Sequence, residues 1–266
     1  DVPVPPIPEQ ERIVAKLDTL FAHLEETKKR LEKIPELLKQ FRQAVLTQAV
    51  TGKLTEEWRE GKESYSWQKV NLRDVASMDI GFAFKSNEFE KSGVRLLRGQ
   101  NIEPGKLRWS ETVFLSEIKL EKYKDLYINE GDVILAMDRP IISSGLKLAI
   151  ARKEDLPCVL VQRVARFRQN ENLNNIYLSY IIGSNDCINH LFSTQTGTQI
   201  PHISGNQILN YSFDLPSIEE QTEIVQRVES LFAKADAIEA QYKKLKEQID
   251  QLPQAVLAKA FRGEIV

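Results

Sequence analysis

Cysteine, methionine and histidine are scarce in this chain, with two, two and three among 266 residues. Cys158 and Cys187 have no neighbouring Cys or His at ligand-like spacing. That argues against a cysteine metal cage or a disulfide scaffold and predicts reduced thiols in a cytoplasmic protein. No apolar run approaches the ~20 residues of a membrane span, and no secretory signal is evident. Charge of one sign is lacking too. The formal net charge is −2 with 28% charged residues, so the whole chain carries no basic signature of a polyanion binder.

What the chain does have is one stretch used twice. Residues 4–54 begin VPPIPEQERIVAKLDTLFAHL and end QAVLTQAVTGKL, and residues 215–265 begin LPSIEEQTEIVQRVESLFAKA and end QAVLAKAFRGEI. A shift of 215 − 4 = 211 aligns them without a gap, and 18 of the 51 aligned positions are identical. A repeat of this length implies one structural unit used twice.

Each copy has heptad spacing. The first gives Ile13, Leu17, Leu20, Leu24, Thr27, Leu31, Ile34, Leu38, Phe41 and Val45. The second gives Ile224, Val228, Leu231, Ala235, Ile238, Tyr242, Leu245, Ile249, Leu252 and Val256. A 3.5-residue repeat keeps one seam on one partner, so the two helices are expected to pair antiparallel as a coiled coil, with the intervening segment at one end of a rod. Pro8 suits a first helical turn, and Ser217 with Glu220 has capping-box spacing. Pro35 and Pro253 should each kink or restart a helix. Gly52 and Gly263 should each stop one.

The polar run 55–66 reads as a linker. From Trp67 the character changes to short apolar runs, Val94–Leu97, Val113–Leu115, Val133–Met137, Lys147–Ala151 and Val159–Phe167, separated by turn signals. Residues 176–192 read as one or two helices. The expected class is therefore α+β: a globular domain at 67–213, flanked by helical regions at 1–54 and 214–266, with 55–66 between.

Charge in that domain is local. Residues 138–168 hold seven basic residues, Arg139, Lys147, Arg152, Lys153, Arg163, Arg166 and Arg168, against Asp138, Glu154 and Asp155. On charge alone, a solvated sheet face is the plainer account. Residues 193–206, STQTGTQIPHISGN, suggest an ordered loop suited to polar ligands. His202 in that loop has no evident activated Ser or Cys partner, so catalysis is not expected there. Glu117-Ile118-Lys119 resembles part of a nuclease site but has no convincing acidic partner. No catalytic residue and no metal ligand is assigned.

The order of parts resembles the specificity subunit of type I restriction–modification enzymes. The helices resemble that family's conserved regions, in PPIPEQERIVAKLDTLFAHLEETKKRLE, RQAVLTQAVTGKLTEEW and LPSIEEQTEIVQRVESLFAKAD. The domain between resembles its target-recognition domain, in WQKVNLRDVASMDIGFAFKSNEF, GVRLLRGQNIEPGKL, YINEGDVILAMD and GTQIPHISGNQILNYSFDLPSIEEQ. The family pattern is domain, helix, domain, helix. This chain has helix, domain, helix. It is expected to be the carboxy-terminal part of a longer subunit, which the start at Asp1 favours, or a one-domain form that pairs with another copy.

The resemblance implies a non-catalytic subunit that reads one half of a split double-stranded DNA target. Its implied partners are modification subunits, which bind S-adenosylmethionine and methylate adenine, and motor–nuclease subunits. Mg and ATP are then expected only on partners, and no cofactor on this chain. The chain lacks an Asn/Asp-Pro-Pro-aromatic motif, a Gly-rich cofactor loop and a P-loop lysine motif, in agreement. DNA contact is expected at Lys85, Arg98, Gln100, Asn101, Arg139, Lys147, Gln162, Arg163, Gln199 and His202, because Arg and amide side chains read base edges and Lys/Arg bind phosphates. Partner docking is expected on the repeated ends, at Glu9, Gln10, Gln43, Leu46, Glu220, Gln221, Gln254 and Leu257. The helices would also act as a spacer: 29 residues from Ile13 to Phe41 span about 43 Å, against ~34 Å for a DNA turn. The competing readings are a coiled-coil scaffold with a protein-binding central domain, and a stand-alone DNA-modifying enzyme. Salt-sensitive DNA binding would count against the first, and metal-dependent nicking or methyl transfer by the chain would support the second.

Overall fold

The computed structural model describes residues 4–61, 66–168, 171–192 and 202–265. Two compact units are present, one formed by Asp1–Ala44 with Glu229–Val266 and the other by Val45–Val228. The larger unit thus begins and ends inside long helices, wider than the 67–213 span read from composition.

The helical unit is built from helices Ile7–Leu31 and Ile34–Val50, up to Ala44, and from Ile218–Phe261 beyond Val228. The first break falls just before Pro35, which then sits in the first turn of the second helix, where its missing N–H costs nothing. Pro8 likewise occupies the opening turn of the first helix. Pro253 behaves otherwise: Ile218–Phe261 runs through it as one helix, with no restart. Gly263 has φ +72°, and the bonds Gly263 N to Ala260 O and Glu264 N to Lys259 O close a Schellman stop.

Pairing is antiparallel. Arg42 bonds Asp236 and Glu239, at 2.7 and 3.2 Å, while Lys28 approaches Asp250 at 3.6 Å. Half of the expected seam is shifted by one residue. Leu17, Leu24, Leu31 and Leu38 turn inward, as do Ala235, Tyr242, Ile249 and Val256. Between them the less exposed positions are Phe21, Lys28 and Arg42, and Phe232, Glu239 and Pro253. Leu20, Phe41, Ile238, Leu245 and Leu252 stay exposed. The reason is amphipathic packing: Lys28 and Arg42 lay apolar stems along the seam and pair their charged heads across it.

The other unit is sheet-based. A four-stranded antiparallel sheet has the order Leu148–Ile150, Val133–Ala136, Val164–Phe167, Met78–Ile80. Val133–Ala136 is buried along its length, as a continuous apolar run in a central strand requires. Cys158–Leu160 runs parallel to Val94–Leu97, which pairs antiparallel with Phe114–Leu115. The expected run Val159–Phe167 is therefore two strands in different sheets, split at Arg163, whose φ is +69°. Gln68–Asn71 pairs antiparallel with Ser212–Leu215, so entry to and exit from the domain are zipped together. Helices Asn175–Ile182 and Asn185–Phe192 cover 176–192, the first capped by Asn174 Oδ1 accepting from the N–H groups of Ile176 and Tyr177. Cys158 and Cys187 are buried free thiols, and burial pushes each up to about 12.

Residues 55–61 are not a free linker. They form the end of the turn Lys53–Thr55 and the short helix Glu56–Arg59, and Thr55 is fully buried. Thr55 Oγ1 donates to Glu220 Oε1 at 2.6 Å and Trp67 Nε1 to Glu220 Oε2 at 3.0 Å; Arg59 donates to Glu220 Oε1 as well. Ser217 Oγ accepts from Glu220 N, but the Glu220 carboxylate turns to these three donors and does not complete the expected box.

Candidate nucleic-acid interface

The buried strands end in turns that carry most of the polar candidates. At the end of Val133–Ala136, Met137 N donates to Arg163 O at 2.8 Å, and Asp138 bridges to His202. Arg163 Nε lies 3.8 Å from Asp138. Lys147 N donates to Pro140 O at 2.7 Å, which folds the following chain back beside Arg139. Arg139, Lys147, Arg163 and His202 thus gather at one end of the central sheet, with Gln162 adjacent and exposed. Arg139 and Arg163 have φ of +44° and +69°, the two positive values at non-glycine residues among the described residues. Backbone strain of this kind is held only where surroundings over-determine it, and it concentrates at functional sites. Lys147 is largely buried, and desolvation lowers its amine from the ordinary lysine value, with Arg139 adding to the effect and Asp138 opposing it.

Arg98, Gln100 and Asn101 lie on the turn Gly99–Asn101. A side chain at Gly99 would meet Lys147 Nζ at 3.8 Å, so this turn adjoins the same end of the sheet. Arg98 donates to Glu111 O at 2.5 Å and Gln100 to Glu111 Oε2 at 3.1 Å. Asn101 is internal: its Oδ1 accepts from Arg98 N and its Nδ2 donates to Arg108 O, so it holds the turn and presents no edge to a ligand. Lys85 is exposed on a different turn, before Ser86–Glu88. Gln199 and most of the 193–206 stretch lie outside the described residues.

The local basic excess is partly internal. Arg166 has zero exposure in the central strand Val164–Phe167. Its Nη2 donates to Asp79 at 2.5 Å and to Asp125 O at 2.7 Å. Arg168 joins Asp79 at 2.7 Å. Burial works against ionisation of Asp79, but hydrogen bonds from Arg168 and Arg166 outweigh it and hold its carboxyl below the usual range. Burial pushes neighbouring Asp132 the other way, against its bond from Asn129 N and the charge of Arg166. These groups pin strands together and are not free to meet a polyanion. A feature missed from sequence is the ribbon Ile141–Ile142 with Gly145–Leu146, which stands beside Arg139 with Ile141 and Ile142 exposed. Two-residue strands leave no periodic signal.

Among the docking candidates, Gln10, Gln254 and Leu257 are exposed and Glu9, Gln43 and Leu46 half-buried. Glu220 and Gln221 are fully buried. Gln221 accepts from Asn174 N at 2.8 Å and donates to Pro216 O at 3.0 Å, so this pair serves the fold and offers a partner no surface. Among the described residues no His/Cys/Asp/Glu group could hold a metal ion, and no helix is long and apolar enough to cross a membrane.

The fold defines the class: a sheet domain with exposed arginines at one end of its central sheet, flanked in sequence by two copies of a heptad helix. The sequence places it further. The profile of the type I restriction modification DNA specificity domain matches residues 65–248, and the chain belongs to that family. It is similar to the EcoKI specificity subunit of Escherichia coli K12, at 35% identity over 100% of this chain and 58% of the relative. It is also similar to the MjaVIII specificity subunit of Methanocaldococcus jannaschii, at 32% identity over 99% and 62%. The chain thus spans about three-fifths of the length of these relatives. The fold is shared with a chain from a solved type I R-M system (TM-score 0.70, 22% identity, 98% of this chain and 61% of that one). It is shared too with the HsdS subunit of Thermoanaerobacter tengcongensis (TM-score 0.64, 20% identity, 98% and 60%).

Proposed function

We propose that this chain is a sequence-specific DNA-recognition part of a cytoplasmic type I restriction–modification complex. It reads one half of a bipartite target and performs no chemistry itself. The observation that carries the reading is the convergence, within the family-matched segment, of Arg139, Arg163, Lys147 and His202 at one end of the sheet. Exposed guanidinium groups there can reach phosphates or guanine edges. Modification subunits dock on the helices, and S-adenosylmethionine, Mg and ATP belong to modification and motor–nuclease subunits.

The test is selection of random-sequence duplexes by the purified 266-residue chain, followed by sequencing. A short enriched motif is expected. Arg139→Ala or Arg163→Ala should cost ~1–3 kcal/mol and relax one position if the side chain reads a base, or weaken all sequences alike if it holds a phosphate. Absence of any enriched motif, or full retention of binding by the R139A/R163A/H202A variant, would overturn the assignment. Capture of purified modification subunit by the full chain, lost on replacing Gln254 and Leu257, tests the docking surface.

A further inference from the structure

The ribbon beside Arg139 has the same two-residue build as Ile102–Glu103 with Lys106–Leu107, but where Ile102 is buried its two isoleucines are exposed. Ile141 pairs with Leu146 and Ile142 with Gly145, leaving Ser143-Ser144 as the turn. Successive strand residues point to opposite faces. Ile141 is 45% and Ile142 39% exposed, and both serines are exposed, while Leu146 opposite Ile141 is buried, so the tip is open and the base is covered. In contrast, Val133–Ala136 is covered on both faces. Two β-branched apolar side chains on a projecting tip are costly in water unless something covers them.

The base of the ribbon is braced by the neighbouring turn. Gly145 has φ +129°, which excludes side-chain-bearing residues, and a Cβ there would meet Pro104 at 3.7–3.8 Å. Gly105 N donates to Leu148 O at 2.8 Å, bracing the neighbouring turn against the ribbon's base. A tip on a braced base meets its ligand with little ordering cost.

Its surroundings identify the occupant. Arg139 and Lys147 flank the ribbon in sequence, and Arg163 approaches Asp138 just before it. An apolar tip that follows exposed Arg139, near a sheet end that also carries exposed Arg163, complements a surface whose rim is anionic and whose floor offers apolar groups. The major groove of B-DNA has that character: phosphates line it, a two-stranded ribbon fits its ~12 Å width, and thymine 5-methyl groups project into it. We infer that the 141–146 ribbon enters the major groove and that Ile141 or Ile142 reads a thymine by packing on its methyl group. This rests on the DNA-recognition reading above.

The experiment resynthesises the duplex selected by the full chain with deoxyuridine replacing each thymine in turn, which removes the methyl and keeps every hydrogen-bonding group. At least one replacement should weaken binding about fourfold, the worth of one buried methyl. The Ile141→Ala/Ile142→Ala variant, altered only at exposed positions, should lose that thymine-to-deoxyuridine ratio while keeping the other motif positions. The inference is overturned if the motif contains no thymine, if every deoxyuridine duplex binds like its parent, or if the double variant keeps the ratio. If no motif is enriched at all, the DNA-recognition reading itself fails and takes the ribbon with it. A motif that is enriched but blind to the methyl sinks only the ribbon.

Discussion

Residues 5–10 and 216–221 carry the same Pro, Glu and Gln at the same spacing, yet only part of the motif does the same work in both. Gln10 Nε2 donates to Pro5 O at 2.7 Å, and Gln221 Nε2 donates to Pro216 O at 3.0 Å. In each copy the amide closes the chain onto the start of its helix. The glutamates differ. Glu220 is fully buried and accepts from Thr55, Arg59 and Trp67, whereas Glu9 is only half-buried. The local contact travels with the repeat, because every atom it needs lies within six residues. The tertiary contact depends on what the rest of the chain brings to the helix start.

The largest way to break this comparison is Glu220→Ala. It strands a guanidinium, an indole N–H and a hydroxyl in a buried setting, and should cost about 3–5 kcal/mol. Glu9→Ala should cost no more than ~0.5 kcal/mol. All three tryptophans, Trp58, Trp67 and Trp109, lie in the Val45–Val228 unit, so tryptophan fluorescence during urea unfolding reports Glu220→Ala, while helical circular dichroism in the same titration reports Glu9→Ala in the helical unit. Equal losses for the two variants would mean that Glu9 holds an equivalent network.

Next in size is the seam. Leu38 is buried and Leu37 is 58% exposed, while Phe41 is 40% exposed although it falls on the expected heptad. Leu38→Ala should cost about 2–4 kcal/mol and Phe41→Ala about 1 kcal/mol or less, read by the loss of helical circular dichroism with urea. A larger loss for Phe41→Ala would restore the register read from the apolar residues alone.

That shifted register marks what a sequence can disclose here. The repeat, the break before Pro35, the glycine stops and the strands Val133–Ala136 and Leu148–Ile150 are legible because each is a local pattern; Met78–Ile80, with Asp79 at its centre, is not. The alternate seam positions are not, because Lys28 and Arg42 enter the seam only by pairing with Asp250, Asp236 and Glu239 more than 190 residues away. Arg166 counts as local surface charge in the sequence for the same reason: its partner Asp79 is 87 residues distant. Of the candidate interface, the arginines were legible as residue types, while their gathering around Asp138 and the ribbon next to them were not.

The Arg166–Asp79–Arg168 cluster gives a smaller effect, visible through pH. Asp79 has a folded pKa below its ordinary value, so its stabilisation is fully present above the unfolded pKa near 4 and is lost as pH falls through the lower folded value. Asp132 has a raised folded pKa, so its contribution has the opposite sign and declines as pH rises through that value. Asp79→Asn should therefore flatten the fall in the fluorescence-monitored unfolding midpoint below about pH 4. An unchanged acid slope would show that other carboxylates govern it.

The smallest effect is the one that separates the two readings of the repeated ends. Their likeness could come from a shared partner or from a shared cap. Gln10 is exposed and its bond to Pro5 is a single side-chain contact, worth about 0.5–1.5 kcal/mol. Gln221 makes the equivalent bond and also accepts from Asn174 N and donates to Asn172 O, with no exposure to water. If capping is what the motif encodes, Gln10→Ala lowers helix stability by about 1 kcal/mol in the purified chain, and Gln221→Ala lowers it two- to threefold more. If partner docking is what it encodes, Gln10→Ala leaves the purified chain's stability unchanged and instead weakens capture of modification subunit. Helical circular dichroism on heating and capture at fixed subunit concentration, measured on the same two variants, distinguish these outcomes. Gln10 is the informative member of the pair because its side chain is free to do both, whereas burial restricts Gln221 to the first.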